Sequence, residues 1–125
     1  MTRILLIEDN DVNLELMVRY LELFEYEVAT ACDGPAGLAM AEAERERLDL
    51  ILLDMNLPEM DGWEVARRLK AGEATKTLPI VAVTAHAMVG DREKALSAGC
   101  DDYASKPINF QLLLNKIQTL VAQAR

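Results

Sequence analysis

The chain has 125 residues, 51% hydrophobic and 27% charged, with 13 Lys and Arg against 21 Asp and Glu for a net charge of −8. That length suits one domain that can bury a sizeable core, and the composition is ordinary for a globular protein. The acidic balance argues against direct nucleic-acid binding, which relies on Lys and Arg to neutralise phosphates, and no run approaches the ~20 apolar residues that cross a bilayer.

The first predicted strand is the near-continuous apolar run from Arg3 to Glu8. One charge before a short apolar run, with no small-residue cleavage pattern after it, reads as a strand and not as a signal peptide, so a cytoplasmic protein is expected. Leu14, Met17, Val18, Leu21 and Phe24 then recur at helical spacing. Glu27 to Ala31 is a second strand, and Asp33-Gly34-Pro35 opens a second helix with Pro in its first turn, where no donor is lost. Leu50 to Leu53 is a third strand, Glu64 to Ala71 a third helix, and Ile80 to Val83 a fourth strand after Pro79. A fourth helix runs from about Val89 to Ser97, with Gly99 past its end as a C-cap. Tyr103 and Ala104 belong to a short fifth strand. Phe110, Leu113, Leu114, Ile117 and Leu120 form the apolar stripe of the last helix, after which only Ala122-Gln123-Ala124-Arg125 remain.

Five βα units in succession imply an α/β domain over residues 1–125, a parallel sheet with helices on both faces. Right-handed crossovers leave few arrangements of such units. Cys32 and Cys100 follow no metal-ligand spacing and read as two reduced thiols.

In an open α/β sheet, ligands bind at the carboxyl ends of the strands, beside the point where the strand order reverses. The residues that follow each strand are therefore the site candidates. They are Glu8, Asp9, Asn10 and Asp11 after the first, and Asp54, Met55 and Asn56 after the third. Thr84, Ala85 and His86 follow the fourth, and Lys106 and Pro107 the fifth. Carboxylates gathered at one edge repel one another unless a cation sits among them, and hard oxygen ligands suit Mg²⁺. Lys106 adds a point charge. Such a set could keep a carboxylate nucleophile ionised and neutralise an incoming phosphoryl group, which needs mainly positioning and charge stabilisation. Taken singly, each residue has a plainer reading. Asn10 or Asp11 could serve only to cap a helix, Asp54 could be a turn residue, Thr84 a strand end and Lys106 a solvated side chain. The convergence of four loops is what favours a site.

At these residues the sequence closely resembles the receiver domain of two-component response regulators. The matches are Ile4-Leu5-Leu6-Ile7-Glu8-Asp9-Asn10, the run Leu52-Leu53-Asp54-Met55-Asn56-Leu57-Pro58-Glu59-Met60-Asp61-Gly62, and Pro79-Ile80-Val81-Ala82-Val83-Thr84-Ala85. They end with Ala98-Gly99-Cys100-Asp101-Asp102-Tyr103 and Ser105-Lys106-Pro107. The resemblance covers nearly the whole chain and implies a flavodoxin-like, five-stranded parallel sheet of order 2-1-3-4-5 flanked by five helices. It makes Asp54 the phosphoacceptor and Glu8 and Asp9 the acidic pair, with Asp9 a direct Mg²⁺ ligand and Glu8 acting through water. Asn56 would offer its backbone carbonyl to the metal, Lys106 and Thr84 would bind the phosphoryl group, and Tyr103 would change rotamer as Thr84 is drawn in. Glu8 stands where Asp is commoner in the family. His86 falls at a variable position and, with Asn56, would line the path of water to the acyl phosphate, unless it is simply a solvated loop residue.

The first helix is greasier than its inward stripe requires, because Leu16, Tyr20 and Leu23 sit beside that stripe. Broad burial is the simpler explanation. The resemblance offers another, in which Leu16, Tyr20 and Asn13 dock a histidine kinase or histidine phosphotransfer protein. It also implies a signalling domain and not an enzyme, catalysing only its own phosphorylation and slow dephosphorylation. On phosphorylation the face of the fourth helix, fifth strand and fifth helix would meet a target protein, the chain being a monomer or a phosphorylation-dependent dimer. With so little after the last helix, the chain resembles stand-alone receivers, although receivers of hybrid kinases are similar. Two enzyme-like alternatives fit poorly. An aspartyl-phosphate phosphatase needs a carboxylate where Asn56 stands, and a flavin carrier needs a Ser/Thr/Gly loop where Glu8-Asp9-Asn10-Asp11 stands. A phosphorylation-independent adaptor is the third alternative, which an intact Asp54, Thr84 and Lys106 argue against.

Overall fold

A computed structural model describes residues 1–85 and 91–124. The elements alternate throughout: β1 (Arg3–Ile7), α1 (Asp11–Leu23), β2 (Glu27–Ala31), α2 (Gly34–Ala43), β3 (Leu50–Asp54), α3 (Gly62–Ala71), β4 (Ile80–Thr84), α4 (Asp91–Ser97), β5 (Asp102–Ser105) and α5 (Phe110–Ala124). The five strands form one parallel sheet of order β2-β1-β3-β4-β5.

Strand alternation divides the core into two layers. Leu5 and Ile7 of β1, Ile51 and Leu53 of β3, and Ile80 and Ala82 of β4 face α2, α3 and α4, where Ala41, Val65, Leu69 and Ala95 meet them. Ile4, Leu6, Leu50, Leu52 and Val81 face the other way, onto Met17 and Leu21 of α1 and Leu113, Ile117 and Val121 of α5. Burying each large side chain here stabilises the fold by about 1.5–3 kcal/mol relative to leaving it in water. Both faces of the sheet are therefore covered, as the uninterrupted apolar strands require.

Helices α1, α2 and α3 begin at side-chain caps. Asn10 Oδ1 accepts from the Asn13 N–H at 2.9 Å, Asp33 Oδ1 from the Ala36 N–H at 2.7 Å, and Asp61 Oδ1 from the Glu64 N–H at 3.0 Å. The sequence pattern predicts α3 from Glu64, whereas the Asp61 cap starts it at Gly62. Only glycine fits there, because a Cβ would lie 2.4 Å from Met55 Cα. α3 thereby presses against the backbone at the end of β3. Gly99, at φ 103°, turns the chain after α4 as its C-cap role requires. Val89, the expected start of α4, lies outside the described residues, and the described helix begins at Asp91. Residues 122–124 are the last turn of α5 and not a tail beyond it.

Leu16 and Leu23 correct the broad-burial reading of α1. They are 54% and 78% exposed, and Val12 beside them is 74% exposed, so the helix keeps an apolar outer stripe. Cys32 is exposed and Cys100 buried, both as free thiols. Burial, helped by the nearby Asp101 carboxylate, pushes the Cys100 thiol up to about 12. Among the described residues no helix is long and apolar enough to cross a membrane.

Candidate functional site

Strand ends deliver the polar residues to one edge of the sheet. β1 stops at Ile7, so Glu8 and Asp9 are the first residues of the next loop, not the end of the strand. The strands run one residue further than expected at Asp54 and Thr84, each the last residue of its strand. The Glu8 N–H donates to the Ala31 carbonyl at 3.0 Å, and the Met55 N–H to the Val83 carbonyl at 2.9 Å. These bonds fix where each loop leaves the sheet. The Lys106 N–H donates to the Thr84 carbonyl at 2.8 Å, which brings the Lys106 stem back over the edge.

One carboxylate oxygen from each of Glu8, Asp9 and Asp54 can be chosen so that all three lie within 4.8 Å of one another. Glu8 and Asp54 are buried, at 4% and 3% exposure, while Asp9 faces solvent. Lys106 Nζ lies 3.4 Å from Asp54 Oδ2 and 3.5 Å from Glu8 Oε1. One ammonium is thus shared between the two carboxylates shielded from water, and Asp9 adds a third negative charge to the cluster. The result is visible on Glu8. Burial, a shared hydrogen bond with Asp54 and the Asp54 charge push its carboxyl up to about 7, against the opposing pull of the Asn10 N–H and Lys106. A hard cation among these oxygens would relieve that repulsion, so the donor set fits Mg²⁺.

Asp54 is oriented by a turn of its own. Its Oδ1 accepts the Asn56 N–H at 2.9 Å, leaving Oδ2 toward Lys106. Asn56 Oδ1 in turn accepts the Ala85 N–H at 3.1 Å, tying the loop after β3 to the end of β4. The sequence reading missed this side-chain contact, and nothing in residue spacing could have signalled it. Thr84 is 2% exposed. Tyr103 is not in the carboxylate cluster. It pairs with Ala82 in register and packs, half-buried, in the layer under α3 and α4. Two residues along β4 from Ala82, Thr84 points to that same face. His86 lies outside the described residues.

A groove of about 250 Å³ opens beside Asp54, between α1 and the β5–α5 loop. Asn13 and Leu16 form one wall, Pro107, Ile108 and Phe110 the other, and Glu8, Asp54 and Lys106 the polar end. Tyr20 lies further along α1, its ring 4.2 Å from Phe110 and 5.1 Å from Phe24 between centroids. Ile108 and Phe110 also border the site, which the sequence does not signal: helical spacing places Phe110 on the core stripe and does not show which residue starts a helix beside a loop.

Residues 4–118 match the response regulator receiver domain family. The chain is 42% identical over 118 residues to the response regulator PleD of Caulobacter vibrioides, a match covering 94% of this chain and 26% of PleD. It is 36% identical over 121 residues to the polar-differentiation response regulator DivK of Brucella anthropi, covering 97% of both. Among solved structures it is similar to the receiver domain of the Pseudomonas aeruginosa PAO1 sensor histidine kinase PA1611, which has a magnesium ion coordinated in its active-site cleft. That match has a TM-score of 0.88 and 38% identity over 97% of this chain and 98% of that one. A CheY-like receiver domain protein from Methanospirillum hungatei JF-1 matches with a TM-score of 0.89 and 31% identity, over 99% of this chain and 96% of that one.

Proposed function

The chain belongs to the response regulator receiver domain family, and from that premise we propose that it is a phospho-accepting switch of a two-component or phosphorelay system, with Asp54 as the acceptor. The carrying observation is the setting of Asp54: buried, in a three-carboxylate cluster, with an ammonium 3.4 Å from one oxygen and a backbone N–H 2.9 Å from the other.

In this reading a phospho-histidine of a kinase or phosphotransfer protein is the donor. An Asp54 oxygen attacks phosphorus, the N–P bond breaks, and its electron pair returns to the ring nitrogen; the imidazole leaves neutral where its other nitrogen already carries a proton, and otherwise takes one from solvent. Lys106 and the Asn56 N–H stand where charge moves from the carboxylate onto the phosphoryl oxygens. Glu8, Asp9, Asp54 and the Asn56 carbonyl would hold Mg²⁺, which supplies the positive charge that lets a carboxylate meet a phosphoryl group. Thr84 would bond a phosphoryl oxygen and, sharing a face with Tyr103, pass the change to α4, β5 and α5. That is a local charge event read out at a distance, and the α4–β5–α5 surface would then meet a target protein or a second copy. The donor protein would dock on Asn13, Leu16 and the groove, with Tyr20 at its margin. The chain would act as one domain over residues 1–125, in the cytoplasm, turning over no other substrate.

Intact mass after incubation with acetyl phosphate tests this reading. Expected is a labile gain of one phosphoryl group that needs Mg²⁺ and is absent in Asp54→Ala. An adduct of equal yield in Asp54→Ala, or with excess chelator, contradicts it.

A further inference from the structure

The loop after β3 shows a bond that is out of its place in the sheet. In a parallel ladder a residue of β3 donates to one residue of β4 and accepts from the residue two further on. The Met55 N–H donates to the Val83 carbonyl at 2.9 Å, so the ladder would next run from the Ala85 N–H to the Met55 carbonyl. That carbonyl instead accepts the Gly62 N–H at 3.2 Å, as α3 closes against the loop. The Ala85 N–H, displaced from the ladder, is taken up by Asn56 Oδ1 at 3.1 Å. It lies next to buried Thr84, at the strand end beside Asp54, whose partner in register is Val83.

A phosphoryl group adds three acceptor oxygens to Asp54, and each needs donors. The Asn56 N–H already points at Asp54, and Lys106 is 3.4 Å away. The Ala85 N–H is a further backbone donor at this edge, and in this arrangement it is engaged by a side chain. We propose that the Asn56 side chain is a latch: by occupying the Ala85 N–H it holds the start of the β4–α4 connection in the unphosphorylated arrangement, and phosphorylation must displace it. This rests on Asp54 being the phosphoacceptor. Asn56 is then a positioning residue twice over, its backbone N–H orienting Asp54 and its side chain opposing the switched state.

Because the contact is at the surface, its net worth is that of one exposed hydrogen bond, and the switch equilibrium moves by about 2- to 10-fold when it is lost. The test compares wild type with Asn56→Ala, a substitution at an exposed position that leaves the core intact. Two readouts are taken with Mg²⁺ present: hydrogen exchange of the Ala85 amide without ligand, and titration with beryllofluoride, a tetrahedral mimic of the phosphoryl group. The latch requires faster exchange at Ala85 in Asn56→Ala, together with about 2- to 10-fold tighter beryllofluoride binding. Unchanged exchange at Ala85 overturns it, as does weaker binding, which would mean that the side chain serves the switched state. If wild type itself binds no beryllofluoride, the phosphoacceptor reading fails and the latch falls with it. Binding by wild type that is unaffected by Asn56→Ala removes the latch alone.

Discussion

The two edges of the sheet treat charge in opposite ways. At the lower edge, where the strands begin, Arg3 meets Glu44 at 2.7 Å and Glu27 at 3.5 Å, and its own N–H donates to Asp49 Oδ2 at 2.9 Å. The Glu27 and Glu44 side chains remain 48% and 20% exposed, so water carries part of their charge. At the upper edge the Glu8 and Asp54 side chains are only 5% and 4% exposed, and Lys106 is shared between them at 3.4–3.5 Å. Asp9 adds a third carboxylate to that cluster. The lower edge settles its charges within the fold. The upper edge is left with excess negative charge in a shielded place, an arrangement that costs stability and makes sense where a cation and a phosphoryl group are to be received.

Removing the Lys106 ammonium from the upper edge should break the contrast most sharply. Lys106→Met is expected to slow labelling by acetyl phosphate about 100-fold, the usual loss when a preorganised charge-stabilising donor is deleted. Labelling at the wild-type rate would show that Lys106 is only a structural counter-ion.

Next in size is a pH dependence carried by Glu8, whose carboxyl is raised from its ordinary 4.5 to about 7. Below pH 4.5 folded and unfolded chains are both protonated there. Between the two values the folded state keeps a proton that the unfolded state has released, so stability falls as pH rises through this window and levels off above it. The loss is of order 3 kcal/mol without divalent cations. Thermal melts from about pH 5 to pH 8 should show it, flattened by added Mg²⁺ and by Glu8→Gln. A slope of the opposite sign, or one untouched by Mg²⁺, would mean the edge is already balanced.

The outer stripe of α1 gives a smaller, selective effect. Leu16→Glu should slow transfer from a phosphorylated histidine phosphotransfer protein about 10-fold or more, as expected when an apolar contact worth at least ~1.4 kcal/mol is lost. Labelling by acetyl phosphate should fall much less. Smallest is the lower edge itself. Arg3→Ala should cost about 1 kcal/mol or less in denaturant unfolding, and leave Mg²⁺ affinity unchanged. A loss of Mg²⁺ binding there would erase the distinction between the edges.

Much of this was legible in the sequence for identifiable reasons. The central strands β1, β3 and β4, buried on both faces, are written as unbroken apolar runs, whereas the edge strands β2 and β5 are partly exposed and carry weaker patterns. The residues just past the strands supplied Glu8, Asp9, Asp54, Asn56, Thr84 and Lys106. The helix starts were less legible. Asp61 followed three residues later by Glu64 is a capping signal, and starting α3 at Glu64 passed over it. Burial along α1 was misjudged because periodicity shows which residues could face inward, not how wide a stripe the sheet covers. Met17 and Leu21 fill that space, and Leu16 and Leu23 are left outside. The Asn56–Ala85 bond stands beside the Gly62 N–H that has taken the Met55 carbonyl. Two loops combine there with the start of α3, and no linear pattern records such a combination.

The most direct measurement is the position of the phosphoryl group. Borohydride reduces an aspartyl phosphate to homoserine, so acetyl phosphate labelling with Mg²⁺, reduction, trypsin digestion and fragment-ion sequencing reads the acceptor residue. The account predicts homoserine at position 54, within the peptide that begins at Leu48 and ends at Arg67. Reduction at position 9 or position 61 instead, with residue 54 still Asp, would contradict it.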